Sequence, residues 1–276
     1  MKTFRTIGLT LAAVLMCVNF TACEEDDDEP AQNNKSKKLV EMKIVHNEDD
    51  YTATMTLKFS YDENNRLVSC EHNEEYYYED DEENDIFVLN YTWEGNTISE
   101  DYKHGDDHSH SLYKLENGLI KSMSESVDVN GATESSEIAE LTYNSDNRII
   151  EFNIDNKPEA RYTWENNKIT SYVDEEEGIP YSISYNDKTC NGYFPLFAMA
   201  SWLDLDLTNL VYTNPELFGL KLNALPSKIE TNTDKEEYKV EFDSYTFDSD
   251  GYVKSFTVNC YGYGSEENKT VTLKWE

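Results

Sequence analysis

The densest cluster of potential metal-binding side chains in the sequence is the segment His104–His110, which reads HGDDHSH. It holds three of the five histidines of the chain, and imidazole together with carboxylate groups can bind zinc or copper. His104, His108 and His110 are therefore candidate metal ligands, and His108 and His110 could share one face of a strand. The glycine and the two aspartates equally favour an exposed polar turn in which these side chains are only solvated.

Cys23 is the second chemically distinctive residue, and the chemistry it suggests is lipid attachment. The segment Met1–Arg5 carries two positive charges and no acid, and the apolar run Ile7–Val18 is too short to span a bilayer comfortably. We therefore interpret residues 1–22 as a signal peptide. The run ends in NFTAC, whose small residues before the cysteine resemble the lipobox of bacterial lipoproteins. Cleavage before Cys23 would free its amine and leave its thiol for a diacylglycerol; ordinary secretion is the alternative.

Residues 23–38 form an acidic tether in this interpretation. Cys23 is followed by six acidic residues, Glu24–Glu29, and then by a polar stretch to Lys38 that cannot bury apolar surface and should be disordered. Acidic residues at this place resemble the signal by which some Gram-negative gut anaerobes export lipoproteins to the outer face of the outer membrane. We expect a lipid-anchored, surface-exposed protein of the outer membrane that contacts the membrane through its lipid only. Anchoring on the periplasmic face is the alternative.

The charge of the chain excludes one class of partner. The formal net charge is −33, and loss of residues 1–22 removes two positive charges and brings it to −35. Such a field repels nucleic acid, so nucleic-acid binding is not expected. The three remaining cysteines of the mature chain, Cys70, Cys190 and Cys260, are too few for a disulfide scaffold, and whether two of them pair is open.

No motif of a known catalytic or cofactor-binding type is present, so no catalytic residue and no cofactor is predicted. A glycosidase would need only two well-placed carboxylates, and 56 acidic residues give no way to choose them.

The elements that would position these residues are β-strands, because alternation of apolar and polar residues dominates the mature chain. The segment Tyr51–Tyr61, YTATMTLKFSY, shows the alternation clearly. We expect about fourteen strands on these grounds, in a single all-β domain covering residues 39–276. Tyr77, in the run Tyr76–Tyr78 between acidic clusters, is expected to point inward from a strand, with an exposed sugar-stacking platform as the alternative.

A degenerate repeat organises the strands into hairpins. Each copy has an aromatic-ended strand, a short turn of Asp, Asn, Glu and Gly, and an aliphatic residue that opens the return strand. The copies are Phe59–Leu67, Tyr91–Ile98, Tyr113–Leu119, Leu141–Ile149, Tyr162–Ile169 and Tyr245–Val253. Asn and Gly supply the positive φ angles of tight hairpins. Sequential hairpins form an antiparallel meander, which twist and bare edges drive toward a closed or nearly closed barrel. A long rolled sheet, similar to the tyrosine-aspartate repeats of bacterial shell proteins, is the alternative.

One segment breaks the alternation and predicts a helix near residues 194–210. Leu196, Met199, Leu203, Leu207 and Leu210 recur at helical spacing, and the sequence Asn-Pro that follows should end the element. A single amphipathic helix in a β-meander is expected to plug or cover an open end of the sheet.

The lipobox, acidic tether, hairpin repeats and helix occur together with the motif Phe218–Leu220 and the segment Leu225–Ile229. This combination resembles the family called domain of unknown function 4595, described as having a porin-like fold, over residues 39–276. The resemblance implies a fold and an exported setting without an activity. The polar faces opposite the apolar stripes, with a mean hydropathy of −0.73, predict a soluble barrel tied on by lipid rather than a spanning one.

The function expected from these observations is a non-catalytic, surface-exposed domain that binds a glycan or a protein. A carbohydrate-active hydrolase and a structural envelope component without a small ligand are the alternatives. The oligomeric state is not indicated.

Overall fold

The computed structural model describes residues 36–47, 51–78, 82–105, 107–129, 132–175, 178–195, 208–231, 238–262 and 265–276. They form sixteen strands: β1 Leu39–Asn47, β2 Tyr51–Tyr61, β3 Leu67–Tyr78, β4 Glu82–Glu94, β5 Thr97–His104, β6 Asp107–Glu116, β7 Leu119–Val129, β8 Ala132–Tyr143, β9 Ile149–Ile154, β10 Lys157–Glu165, β11 Lys168–Asp174, β12 Ile179–Thr189, β13 Ala224–Thr231, β14 Lys239–Phe247, β15 Val253–Gly262 and β16 Ser265–Trp275.

The strands form one closed antiparallel barrel. Each strand pairs with its sequence neighbours, and β1 pairs with β16 to close the sheet, from Leu39 opposite Trp275 to Asn47 opposite Asn268. The expected meander and barrel closure are confirmed. The strand count exceeds the expected one because strands such as β7, with the sequence LIKSMSESVDV, carry few apolar residues and alternate weakly.

Apolar side chains fill much of the inside of the barrel, and polar side chains dominate the outside. On β16, Val271, Leu273 and Trp275 are buried whereas Thr272 and Lys274 between them are exposed. Most inward apolar side chains join one hydrophobic cluster, whereas the inward face of β3 to β5 farther along the barrel also holds His72, Asp85 and His104. Ion pairs follow the outer face of single strands, as between Lys228 and Glu230 and between Lys239 and Glu241. Among the described residues, no helix is long and apolar enough to cross a membrane.

The described part of the connection between β12 and β13 lies inside one end of the barrel. We call its described residues, 190–195 and 208–223, the plug. It contains a short helix, α1 Leu210–Thr213, and a 3₁₀ turn, Pro215–Phe218. All four residues of α1 are buried, and Phe194 packs on Phe256 of the wall with a ring-centroid distance of 5.1 Å.

The predicted helix near 194–210 falls largely on residues 196–207, which lie outside the described residues. The helix that is described begins at Leu210 and ends before the Asn-Pro pair at residues 214–215, where the sequence predicted a stop. The described residues of the plug cover this end of the barrel, and covering by the predicted helix itself stays a prediction.

The plugged end of the barrel, which we call the hairpin end, carries the tight turns of the repeat. Their positive φ angles fall where the sequence predicted them, on Asn65, Asn147 and Asn167 and on Gly95 and Gly118. The chain also enters and leaves the sheet here, because Lys38 and Glu276 exchange two backbone hydrogen bonds of 2.7 and 2.9 Å.

Candidate functional site

A repeated aromatic hydrogen bond fixes the strands at the hairpin end. A Tyr or Trp in the second half of an even-numbered strand donates its O–H or N–H to a backbone carbonyl within two residues of the start of the preceding strand, over 2.6 to 3.0 Å. The described residues contain seven such bonds: Tyr61 to Leu39, Trp93 to Leu67, Tyr143 to Ile120, Trp164 to Ile149, Tyr185 to Ile169, Tyr245 to Pro226 and Trp275 to Val253. The aromatic residue of these repeats thus joins two neighbouring strands through a side-chain hydrogen bond.

The turn between β8 and β9 projects a basic side chain from this scaffold. The guanidinium of Arg148 lies over the Trp164 ring at 5.3 Å from its centroid. Its Nη2 donates to the side-chain oxygen of Asn167 in the turn between β10 and β11. Trp164 is itself held by its bond of 2.6 Å to the Ile149 carbonyl. Arg148 therefore has a defined position although it lies at the surface.

The plug packs directly against this turn. Gly219 has φ of +64°, and a Cβ at this position would collide with the carbonyl oxygen of Asn147 and lie 3.0 Å from Cα of Arg148. Only glycine allows this approach together with a left-handed backbone. The glycine of the motif Phe218–Leu220 is thereby explained: it lets the plug and the β8–β9 turn meet.

A cavity of about 600 Å³ opens where the turns and the plug meet. Its wall is formed by Asn117, Gly118, Leu119, Asp146, Asn147, Arg148, Trp164, Asn167, Gly192, Glu216, Gly219, Lys221 and Asn223. We call it the hairpin-end cavity. Four asparagines, two basic and two acidic residues and one tryptophan line it, which is a donor and acceptor set suited to a polar small molecule with one apolar face.

The predicted metal ligands do not converge. His104 and His108 are not opposite each other, because His104 pairs with Asp107 and His108 pairs with Lys103, so the alternation of β5 and β6 places His104 on the other face from His108 and His110. His104 Nε2 lies 2.6 Å from Asp85, and His110 Nδ1 lies 2.9 Å from Asp101. Within the described ranges no group of three or more histidine, cysteine or acidic residues could hold a metal ion.

The outer face of β5 to β7 places Asp101, His110 and Ser126 opposite one another on three adjacent strands. These residue types could form a nucleophilic triad. However, the Ser126 hydroxyl donates to the backbone carbonyl of His110 over 3.3 Å, and the row lies on the outside of the sheet. We therefore assign no reaction to this row.

Inside the barrel, Glu100 ties the plug to the wall. Its carboxylate accepts a hydrogen bond of 2.8 Å from the Thr208 hydroxyl, and it is 7% exposed. Burial raises the pKa of the Glu100 carboxyl, while the hydrogen bond from Thr208 opposes the rise. Because the apolar core encloses it, we read this group as a plug contact and not as part of the cavity.

Two further sequence predictions are decided by the structure. Tyr77 was expected to point inward, and this is wrong: it is 41% exposed, because Cys70 faces the core and the alternation of β3 turns odd-numbered residues outward. Cys70, Cys190 and Cys260 are all buried free thiols. Cys23 lies outside the described residues, and its lipidation stays a prediction.

The barrel is similar to solved structures of porin-like proteins. One from Bacteroides uniformis matches with a TM-score of 0.68 at 15% identity, over 86% of this chain and 98% of that chain. One from Bacteroides vulgatus matches with a TM-score of 0.50 at 12% identity, over the same shares of the two chains. This chain has the porin-like fold. No known family profile and no curated protein matches its sequence.

The porin-like fold confirms what the sequence resemblance implied about architecture, whereas membership in the family of domain of unknown function 4595 stays a prediction. Sequence reasoning missed the cavity of this porin-like barrel. Its residues come from three turns and the plug, so no local pattern marks them. One signal was present: the turn beginning at Asn144 carries an amide where the equivalent turn beginning at Asp62 carries a carboxylate.

Proposed function

We propose that this chain is a lipid-anchored binding protein of the bacterial outer membrane, exposed at the cell surface, that holds a glycan in the hairpin-end cavity and catalyses no reaction. The observation that carries the proposal is the composition of that cavity, in which a tryptophan lies among four asparagines and four charged side chains.

The chemistry of the cavity favours a sugar over a protein surface. Side-chain amides offer both donors and acceptors, as the hydroxyl groups of a sugar require, and an aromatic ring covers the apolar C–H face of a pyranose. A volume of about 600 Å³ lies in the range of small-molecule pockets. A stable protein partner would instead need about 800 Å² of contact on each side, for which a polar hollow is poorly suited.

A non-catalytic role fits the two carboxylates of the cavity. Asp146 and Glu216 are both exposed, whereas the acid of a glycosidase works from a protected, apolar site that keeps it protonated.

The membrane attachment we propose is the lipid on Cys23. A barrel that spans a bilayer carries apolar residues outside, and the charged outer face described above is the reverse of that arrangement. A lipid with two or more acyl chains anchors stably without any spanning element.

Glycan binding can be tested with the unlipidated mature chain, made by starting at residue 23 with Cys23→Ser. We expect it to bind members of a defined oligosaccharide array, and Asn223→Ala, in the cavity wall, to weaken binding about fivefold or more, as loss of one sugar hydrogen bond predicts. Asn90→Ala, on the outer face of β4, is the matched control. Retained affinity in Asn223→Ala together with lost affinity in Asn90→Ala would place the site elsewhere.

Anchoring can be tested separately in a Gram-negative host fed labelled palmitate. The wild-type chain should incorporate the label and Cys23→Ala should not. Protease shaving of intact cells should remove the domain, and full resistance of a lipidated chain would place it on the periplasmic face.

A further inference from the structure

Two turns of the barrel have the same backbone and nearly the same side chains. In the β2–β3 turn, the Asp62 carboxylate accepts the backbone N–H groups of residues 64 and 66, at 2.9 Å each. In the β8–β9 turn, the Asn144 side-chain oxygen accepts the N–H groups of residues 146 and 148, at 2.9 and 3.1 Å. Both turns then place an arginine over a tryptophan that is bonded to the next carbonyl.

Arg66 and Arg148 differ in the group that accepts the hydrogen bonds of the guanidinium. Arg66 donates from Nε to Asp62 over 2.8 Å, and its Nη2 lies 2.6 Å from the same carboxylate oxygen. Arg148 has an amide in place of that carboxylate, and its guanidinium donates to the neutral side chain of Asn167. Among the described residues, no carboxylate lies within ion-pair distance of Arg148. Arg66 is therefore ion-paired within its own turn, whereas Arg148 has no ion pair within the β8–β9 turn.

A second cation stands in the same cavity. Lys221 of the plug is exposed and lines the hairpin-end cavity, and in the described part of the chain its ammonium has no ion pair or hydrogen bond. Two acidic side chains, Asp146 and Glu216, line the same cavity, and within the described ranges neither forms an ion pair with Arg148 or Lys221. In a chain of net charge −33, two basic side chains without ion-pair partners in one hollow are a specific local feature.

We infer that the hairpin-end cavity recognises an acidic sugar, a uronic acid residue within a glycan, whose carboxylate is bound by Arg148 and Lys221. A planar guanidinium matches a carboxylate with two parallel hydrogen bonds, and stacking on Trp164 already holds it in place, so little freedom is lost on binding. The inference rests on the proposed glycan-binding function and names its ligand class. The acidic field of the whole protein disfavours polyanions, so isolated acidic residues in an otherwise neutral glycan fit best.

The test compares two sugars and three variants by calorimetry on the unlipidated mature chain. The probes are a trisaccharide with one glucuronate residue and the same trisaccharide with that carboxyl reduced to the alcohol. We expect the acidic form to bind at least about tenfold tighter, from the strength of charge-assisted hydrogen bonds. Arg148→Gln should remove this preference, Lys221→Gln should reduce it, and Arg66→Gln, in the equivalent turn away from the cavity, should leave it unchanged. Thermal unfolding of each variant verifies that it is folded.

The outcomes separate the inference from the proposed function. Equal affinity for the two trisaccharides, or tighter binding of the reduced one, overturns the acidic-sugar assignment and leaves glycan binding standing. A preference that survives in a folded Arg148→Gln also overturns it. Absence of binding to either probe and to every member of a broader oligosaccharide array overturns both.

Discussion

The β2–β3 and β8–β9 turns share one backbone conformation and differ in how the charge of the arginine is balanced. Both close a hairpin with the same hydrogen bonds and the same arginine–tryptophan stack. In the β2–β3 turn, Arg66 forms an ion pair with Asp62 of the same turn. In the β8–β9 turn, Arg148 instead donates to Asn167 of another turn. The plug packs against the β8–β9 turn through Gly219. The amide in place of the carboxylate leaves the backbone hydrogen bonds of the turn unchanged and removes the ion-pair partner of the arginine.

The largest effect is expected where the plug meets the β8–β9 turn. Gly219→Ala should lower the free energy of unfolding by about 2–4 kcal/mol, because the methyl group would collide with backbone and the left-handed φ disfavours alanine. Gly95→Ala, at φ of +58° with no atom within 4 Å of the added carbon, should cost only about 1–2 kcal/mol. Urea unfolding of both variants measures the difference, and equal losses would show that the contact with the turn is loose.

Trp93 and Trp164 should contribute equally to stability, whereas only one of them should contribute to glycan binding. Trp93→Phe and Trp164→Phe each leave a carbonyl without its indole donor, and each should cost about 1–2 kcal/mol. Only Trp164→Phe should also weaken glycan binding, because only Trp164 lines the cavity. Unfolding and calorimetry on the same two proteins check this, and weaker binding in Trp93→Phe alone would move the site to the other turn.

Exchanging the residue that distinguishes the turns should convert one into the other. Asn144→Asp gives Arg148 the partner that Arg66 has, so the affinity for an acidic trisaccharide should fall about tenfold. Stability should change by no more than about 1 kcal/mol, as expected of an exposed ion pair. Calorimetry with the acidic and reduced probes decides it: an unchanged preference for the acidic form would mean that the partner of Arg148 does not matter.

The smallest effect concerns pH and the β2–β3 turn. The backbone N–H of Arg66, followed by its side chain, holds the pKa of Asp62 below its ordinary value of 3.8. A depressed pKa contributes stability that is present above the ordinary value and is lost as the pH falls through the folded-state value. The wild type should therefore be more stable than Asp62→Asn near neutral pH, and the two should converge below pH 3.8. Thermal unfolding across this range measures it, and a difference that persists undiminished in acid would contradict the assignment.

The barrel could be predicted from sequence because its determinants are local. Alternation marks the strands, and each repeat carries its own turn residues, so Tyr61, Asn65 and Leu67 announce a hairpin without reference to the rest of the chain. Which face a weakly apolar strand turns inward is not local, since Cys70 at one end of β3 fixes the orientation of Tyr77 near the other. The hairpin-end cavity could not be predicted from the sequence either, because its lining residues come from separate turns and the plug.

The histidine segment shows the limit of motif reasoning in a sheet. Side chains close in sequence were expected to converge, yet pairing and the turn at Gly105 direct His104 and His110 to opposite faces, each toward its own aspartate. Spacing within one strand predicts a shared face, whereas spacing across a turn does not until the register is known.

Because Lys38 and Glu276 are hydrogen-bonded neighbours, the folded barrel does not require the chain to begin at β1 and end at β16. Because the first and last residues of the sheet already exchange two hydrogen bonds, a short linker could join them and new ends could be opened at the Asp155–Asn156 turn, giving a circular permutant with every strand pair kept. The first and last strand residues of such a permutant would lie at the rim of the barrel opposite the hairpin end.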